Sequence, residues 1–126
     1  MVDRITPRPL DQSSVLAESF GQWVVEDVFP AGRPSWEAAG ALLVDDVGPY
    51  ELMKLRLLNA AHQALAYPAL LLGHVLVHDS VPDLEPLLRA WWTEALPTLL
   101  PVPGFDLPEY VETLLARFAN PHVEDT

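Results

Sequence analysis

Proline sets the limits of what this chain can fold into. Thirteen prolines fall within its 126 residues, and each fixes φ and removes a backbone donor, so each marks a place where a helix is expected to start, stop or bend. One unbroken and mostly apolar stretch stands out, PYELMKLRLLNAAHQALAYP, from Pro49 to Pro68. Proline at a first helical position after Asp46 and Gly48 is a start signal, which predicts a helix from Pro49 that ends at Pro68. A second helical stretch is expected from Ala69 to Ser80, before Pro82. A third runs from near Asp83 through LEPLLRAWWTEAL to Pro97. After the loop PTLLPVPGF a fourth opens on Asp106-Leu-Pro-Glu109, an N-cap with an acidic residue three positions on, and reaches Asn120-Pro121.

The upstream part reads differently. MVDRITPRPLDQSSVLAE has no helical periodicity and reads as loop or extended chain. The aromatic and β-branched run FGQWVVEDV suits a strand or edge segment, and FPAGRPSWEAAGALLVDDVGP reads as a turn, a short helical piece and a connector. The expectation is one mainly α-helical, bundle-like domain over residues 1–126, with an irregular N-terminal segment.

Charge removes several classes of partner. Eighteen acidic residues against seven basic ones give a formal charge of −11, a field that repels phosphate backbones and anionic lipid. Neither nucleic acid nor a membrane is an expected partner. The absence of cysteine excludes disulfides, thiolate metal sites and a cysteine nucleophile, and is compatible with the cytoplasm. No basic region followed by an apolar one opens the sequence, as a secretory signal would require. The most apolar stretch, Ala64 to Val77, is about 14 residues long and interrupted by Pro68 and His74, too short to span a bilayer. A soluble, cytoplasmic chain is expected.

Within the central helix, Lys54, Asn59 and His62 stand among leucines and alanines. On a regular helical wheel with Lys54 at zero, His62 falls near ~80° and Asn59 near ~140°, so all three share one side. Leucines and alanines fill nearly every other direction, and a helix apolar all round is expected to be buried. Burying an ammonium without a partner costs several kcal/mol, and an unpaired amide about 1–3 kcal/mol, so three such groups need partners or a wet cavity. A reaction site would supply that need. A desolvated lysine can serve as a general base near neutral pH, an asparagine NH2 can donate to a developing oxyanion, and a neutral imidazole can bond a hydroxyl. Structural roles fit the spacing as well: Lys54 reaching solvent, Asn59 capping a loop, His62 satisfied within a core.

PYELMKLRLLNAAH resembles the signature of the polyol-specific long-chain dehydrogenases, the mannitol 2-dehydrogenase and fructuronate reductase family. MVDRITP, FPAGRPSWE, LLVDDVGPYELMKLRLLN, PTLLPVPGFDL and LLARFANP are similar, in order, to successive blocks of that family's C-terminal half. The resemblance implies a zinc-independent hydride transfer between NAD or NADP and a polyol or keto-sugar, with catalytic residues spaced K-x4-N-x2-H on one helix. It makes Lys54 the general acid/base, Asn59 part of an oxyanion-type site and His62 a ligand of a substrate hydroxyl. Val2 and Asp3, before Arg-Ile-Thr-Pro, would border the substrate.

The chain also departs from that pattern. In the family a nucleotide-binding domain precedes the MVDRITP block, and the six glycines in these residues form no G-x-G-x-x-G. A second asparagine of the oxyanion site belongs to that domain, Arg8 to Glu18 resembles a contracted segment, and Pro68 is unusual in the signature helix. The resemblance therefore implies a catalytic portion inactive alone, needing its nucleotide-binding half. The alternative is a non-catalytic helical module that self-associates through apolar surface.

Three further features have simpler readings. His74 and His78, four apart, would share a helical face where a metal could sit, yet no third ligand is near, and a surface or helix-end pair is the expectation. Asp45-Asp46 before Gly48 could bind a cation but fits capping of a helix start better. Of Trp91 and Trp92, at least one ring is expected in the core.

Overall fold

The computed structural model describes residues 20–123. Val24–Glu26 (β1) and Leu42–Val44 (β2) pair in parallel, with Val24 opposite Leu42 and Glu26 opposite Val44. Parallel neighbours cannot be joined by a tight turn, and the crossover carries one 3₁₀ turn, Trp36–Ala39. The Arg33 guanidinium forks onto both Asp27 carboxylate oxygens, at 2.8 and 3.1 Å, and reaches Glu37 at 2.7 Å. That fork fastens the crossover and holds the Asp27 carboxyl below its ordinary range. The strand β2 lies in the block expected to be a connector, because three residues are too few to display a period of two.

Asp46 accepts the Gly48 N–H at 2.8 Å, a turn leading into the helix rather than the side-chain cap expected of the acidic pair, because Val47 stands at the N-cap. The long helix follows in three parts: α1 (Gly48–Met53), a π-helical turn (Lys54–Asn59) and α2 (Ala60–Leu72). Two boundaries expected from proline are not there. The helix continues through Pro68 and stops at Gly73, whose φ of 87° is left-handed and suits glycine alone among ordinary residues. The next helix, α3 (Val77–Ala95), begins well before Asp83 and runs through Pro82 and Pro86. Each proline deprives one carbonyl, four residues earlier, of its helical donor. Pro82 and Pro86 both stand on the exposed side of α3, where water can take that donor's place, while the opposite face buries Val77, Val81, Leu84, Leu88 and Trp92. Burial of that face outweighs the breakers. The last helix, α4 (Leu107–Phe118), opens as expected, with Asp106 accepting the Glu109 N–H at 3.0 Å.

The chain turns through 108° between Gly48–Leu72 and Val77–Thr98, which lays α2 against α3, and α3 in turn against α4. Among the described residues no single helix is long and apolar enough to cross a membrane. The core is continuous from Tyr50 to Phe118 and includes Met53, Leu57, Ala61, Leu65, Leu88 and Leu114, all fully buried. The mainly helical expectation is met.

The long helix is not buried all round, however. Its buried stripe is Met53, Leu57, Ala61, Leu65 and Ala69, each four residues after the last, while Leu52, Leu55, Leu70, Leu71 and Leu72 are exposed. In a regular helix a step of four overshoots one turn by about 40°, so five such residues would wind about 160° around the axis. The π turn inserts one extra residue and sets everything after it back by about 100°. That correction keeps the stripe on one side, facing α3.

Candidate functional site

The π turn holds two of the sequence-predicted residues, Lys54 and Asn59, and His62 follows in the first turn of α2. At the π turn the Ala60 N–H donates to the Leu55 carbonyl, five residues back, instead of to Arg56. Three contacts from the end of α3 and the turn after it grip this segment. The Trp91 indole N–H donates to the Arg56 carbonyl at 2.9 Å, and the Trp92 indole N–H donates to the Leu57 carbonyl at 2.8 Å. The Arg56 guanidinium donates to the Thr98 carbonyl at 2.6 Å. Trp92 is buried and stacks on Phe118, ring centroids 6.5 Å apart, so one tryptophan ring does lie in the core. The hydrogen-bonding use of both indoles was not legible in the sequence.

This geometry revises the wheel. Residues five apart are stacked by a π turn, so Asn59 moves to about 40° from Lys54 and His62 to about 20° on the other side, where a regular helix spread them over about 140°. The three side chains therefore share a narrower stripe than their spacing implied. Lys54 is exposed, and Asn59 and His62 are half-buried. The His62 ring meets Phe118 edge-on, centroids 5.8 Å apart. Among the described residues the side chains of Lys54 and Asn59 make no hydrogen bond or ion pair. Asn59 thus caps no neighbouring loop, whereas the exposure of Lys54 fits a solvent-facing role as well as a catalytic one. The desolvation expected around Lys54 is not provided by these residues. Val2 and Asp3 lie outside the described residues.

Beside the π turn a cleft of about 720 Å3 opens between β1, the long helix and α4. Lys54, Tyr50 and Leu58 line it from the helix, Val24 and Glu26 from β1, and Tyr110 and Arg117 from α4. The Tyr110 hydroxyl donates to the Gln22 side-chain oxygen at 3.1 Å, and burial pushes its pKa up, so it stays a donor across the neutral range. Arg117 lies over the Phe20 ring at 4.1 Å. Asn59 and His62 are not part of the cleft wall. Of the three residues, only Lys54 lines this cleft. Tyr50 was a missed wall residue with a signal available: it precedes Lys54 by four, the spacing that shares a helical face.

The remaining candidates separate. His74 follows Gly73 in the connector and pairs its Nε2 with Asp83 at 2.8 Å, while His78 sits inside α3 with its Nε2 3.3 Å from Asp79. They do not share a helix, because the chain breaks at Gly73 between α2 and α3. Among the described residues no three metal-ligating side chains gather.

Comparison with known proteins identifies the family. A profile described as "Mannitol dehydrogenase C-terminal domain" matches residues 46–126. The chain is 45% identical over 143 aligned residues to a mannitol dehydrogenase of Saccharomyces cerevisiae, covering all of this chain and 28% of that protein. It is 43% identical to a D-arabinitol 4-dehydrogenase of Ralstonia nicotianae, covering all of this chain and 30% of the relative. Among solved structures it is similar to Pseudomonas fluorescens mannitol 2-dehydrogenase in ternary complex with NAD and D-mannitol. That match has a TM-score of 0.70 at 47% identity, over 80% of this chain and 21% of the other. A D-sorbitol dehydrogenase in substrate-free form gives a TM-score of 0.74 at 40% identity, over 80% and 22%. The chain spans under a third of the length of these relatives. With its sequence and its fold in agreement, the chain belongs to the mannitol dehydrogenase C-terminal domain family.

Proposed function

We propose that this chain carries the substrate-side catalytic helix of an NAD(P)-dependent polyol or sugar-acid dehydrogenase. The observation that carries the reading is the spacing of Lys54, Asn59 and His62 across a π turn, in a chain 47% identical to an enzyme solved with NAD and D-mannitol. In this reading the neutral Lys54 amine accepts the proton of the reacting hydroxyl, the Asn59 amide donates to the oxygen as negative charge develops on it, and His62 bonds a neighbouring substrate hydroxyl. Val2 and Asp3 border the substrate. Desolvation of Lys54, which base strength near neutral pH requires, comes from substrate and from chain beyond these residues.

A dinucleotide needs a glycine-rich strand–turn–helix for its pyrophosphate. The described residues do not fit one: β1 and β2 are three residues each, and the crossover between them holds only a 3₁₀ turn. In this reading the described residues account for the proton and oxygen side of the reaction. The test joins this chain, by fusion or in trans, to the nucleotide-binding part of a relative and follows NADH formation with mannitol and arabinitol. Lys54→Ala is expected to lower kcat by about 10²–10⁴-fold with folding intact, since general base catalysis is worth that much. Full activity in that variant would sink the assignment.

A second reading has its own observation. At the end of α2 the apolar side chains of Tyr67, Leu70, Leu71, Leu72 and Val75 are exposed, Leu71 by 89% and Val75 by 70%. A helical module that self-associates through this patch accounts for them. Sedimentation separates the two, because a chain that stays monomeric at high concentration is no assembly module.

A further inference from the structure

We propose that Trp91 and Trp92 are positioning residues: their two indole N–H groups, bonded to the Arg56 and Leu57 carbonyls, hold open the π turn that aligns Lys54 with Asn59 and His62. This role rests on the assignment of those three residues proposed above; the bracing itself does not.

The bracing works by supplying donors to carbonyls of the turn. In a regular helix the Ala60 N–H would donate to Arg56 and the Ala61 N–H to Leu57. Those are the carbonyls that the tryptophans engage, at 2.9 and 2.8 Å. The Ala60 N–H donates to Leu55 instead, and the Arg56 carbonyl it leaves accepts the Trp91 indole. An indole has one donor and no acceptor, so it can satisfy a carbonyl released by the wider turn and compete with nothing else there. Adjacent residues on a helix point about 100° apart, which lets neighbouring tryptophans reach successive carbonyls of a helix that crosses theirs. A single tryptophan could not hold both. Arg56 adds a third tie, from the turn back to Thr98, so the end of α3 and the π turn are locked reciprocally.

The geometric consequence falls on the site. Were the turn to relax to a regular helix, Asn59 and His62 would rotate by about 100° relative to Lys54, or Lys54 and Met53 would rotate the other way. Met53 is fully buried, so the buried stripe resists one movement and the tryptophans resist the other. The two tryptophans thereby connect core packing to the orientation of residues they do not touch.

Trp91 is the cleaner position to test, since it is only half-buried whereas Trp92 is 2% exposed. Trp91→Phe keeps an aromatic ring and deletes the donor. In the isotope-labelled full chain, the through-hydrogen-bond NMR coupling of the Ala60 amide nitrogen is expected to connect to the Leu55 carbonyl carbon. In Trp91→Phe it is expected to shift to the Arg56 carbonyl carbon, with the thermal transition still cooperative. A coupling to Leu55 that persists in both Trp91→Phe and Trp92→Phe overturns the proposal, whatever happens to activity. In the fusion with a nucleotide-binding half, Trp91→Phe is expected to lower kcat by about 10²-fold, the scale of a misplacement of about 1 Å, and to alter the pH profile of the reaction. A coupling that shifts while kcat and the pH profile stay at wild-type values also overturns the positioning role. A fusion inactive with both tryptophans in place, its Ala60 coupling still moving on substitution, would break the catalytic reading and leave the bracing of the turn intact.

Discussion

Two leucine-rich ends of the same helix meet opposite fates. At one end KLRLLN places Leu57 fully inside the core, gripped from α3 by Trp91 and Trp92. At the other, ALLL leaves Leu71 89% exposed just before the chain turns at Gly73. Hydropathy does not explain it, because KLRLLN, with its lysine, arginine and asparagine, is the less apolar of the two. What differs is the face: Leu57 belongs to the buried stripe from Met53 to Ala69 that faces α3, whereas Leu71 is exposed, as are Leu55 and Leu70. Burial is thus decided by which side of the helix the 108° turn lays α3 against, and a run of leucines is a demand for cover that the chain answers on one face only.

Substituting one leucine at each end tests this contrast directly. Leu57→Ala is expected to cost about 2–5 kcal/mol in urea unfolding, because it leaves a cavity beneath the indoles. A cost under about 1 kcal/mol there would mean that the braced end is not tightly packed. Leu71→Glu is expected to change stability by no more than about 0.5 kcal/mol. Its effect belongs in sedimentation, where any self-association of the wild-type chain should weaken; a large loss of stability instead would show that the leucine end has cover.

A weaker effect is expected at the tie behind the braced end. Arg89 of α3 bonds Glu112 of α4 at 2.8 Å, and this hydrogen bond holds the Glu112 carboxyl below its ordinary value of 4.5. A carboxyl whose pKa is lower when folded stabilises the fold fully above its unfolded value, and that contribution fades as pH falls through the lower folded value. Stability should therefore decline below about pH 4.5, and Glu112→Gln should flatten part of that decline. The pair is exposed and salt-screened, so an acid limb unchanged by the substitution would assign the decline to other carboxylates.

Much of the fold was legible because helix starts are written in local chemistry. Pro49 after Asp46 and Asp106 before Glu109 each name a helix start, and both helices begin where the sequence puts them. Helix ends were less legible. Pro68 and Pro82 read as stops, yet they lie on helices whose other faces are held by tertiary packing that no local signal records. The site divides in the same way. Lys54, Asn59 and His62 were legible as a spacing, and the family whose signature that spacing resembles is the one the chain belongs to. Their true alignment depends on a π turn that a regular wheel cannot represent. One trace of it was present, since Met53, Leu57, Ala61, Leu65 and Ala69 recur every four residues, too slowly for a straight helix to keep them on one side. The partners of that turn, Trp91 and Trp92, stand some thirty-five positions away, and sequence spacing gives no access to such a contact.

A π turn is also a ruler. It accommodates one residue more than a regular helix would between the same two anchors, the start at Gly48 and the end at Gly73. Deleting any one residue from Lys54 to Asn59 would mend the hydrogen-bond ladder and improve the helix as a helix. It would leave Met53 and Leu65 on the face they already share, because the lost residue and the lost bulge cancel. The helix between Gly48 and Gly73 can therefore give up one residue inside the turn without moving either flank off the core. What such a loss would remove is the open carbonyl that the Trp91 indole caps, and the irregularity in the helix is what that contact is built around.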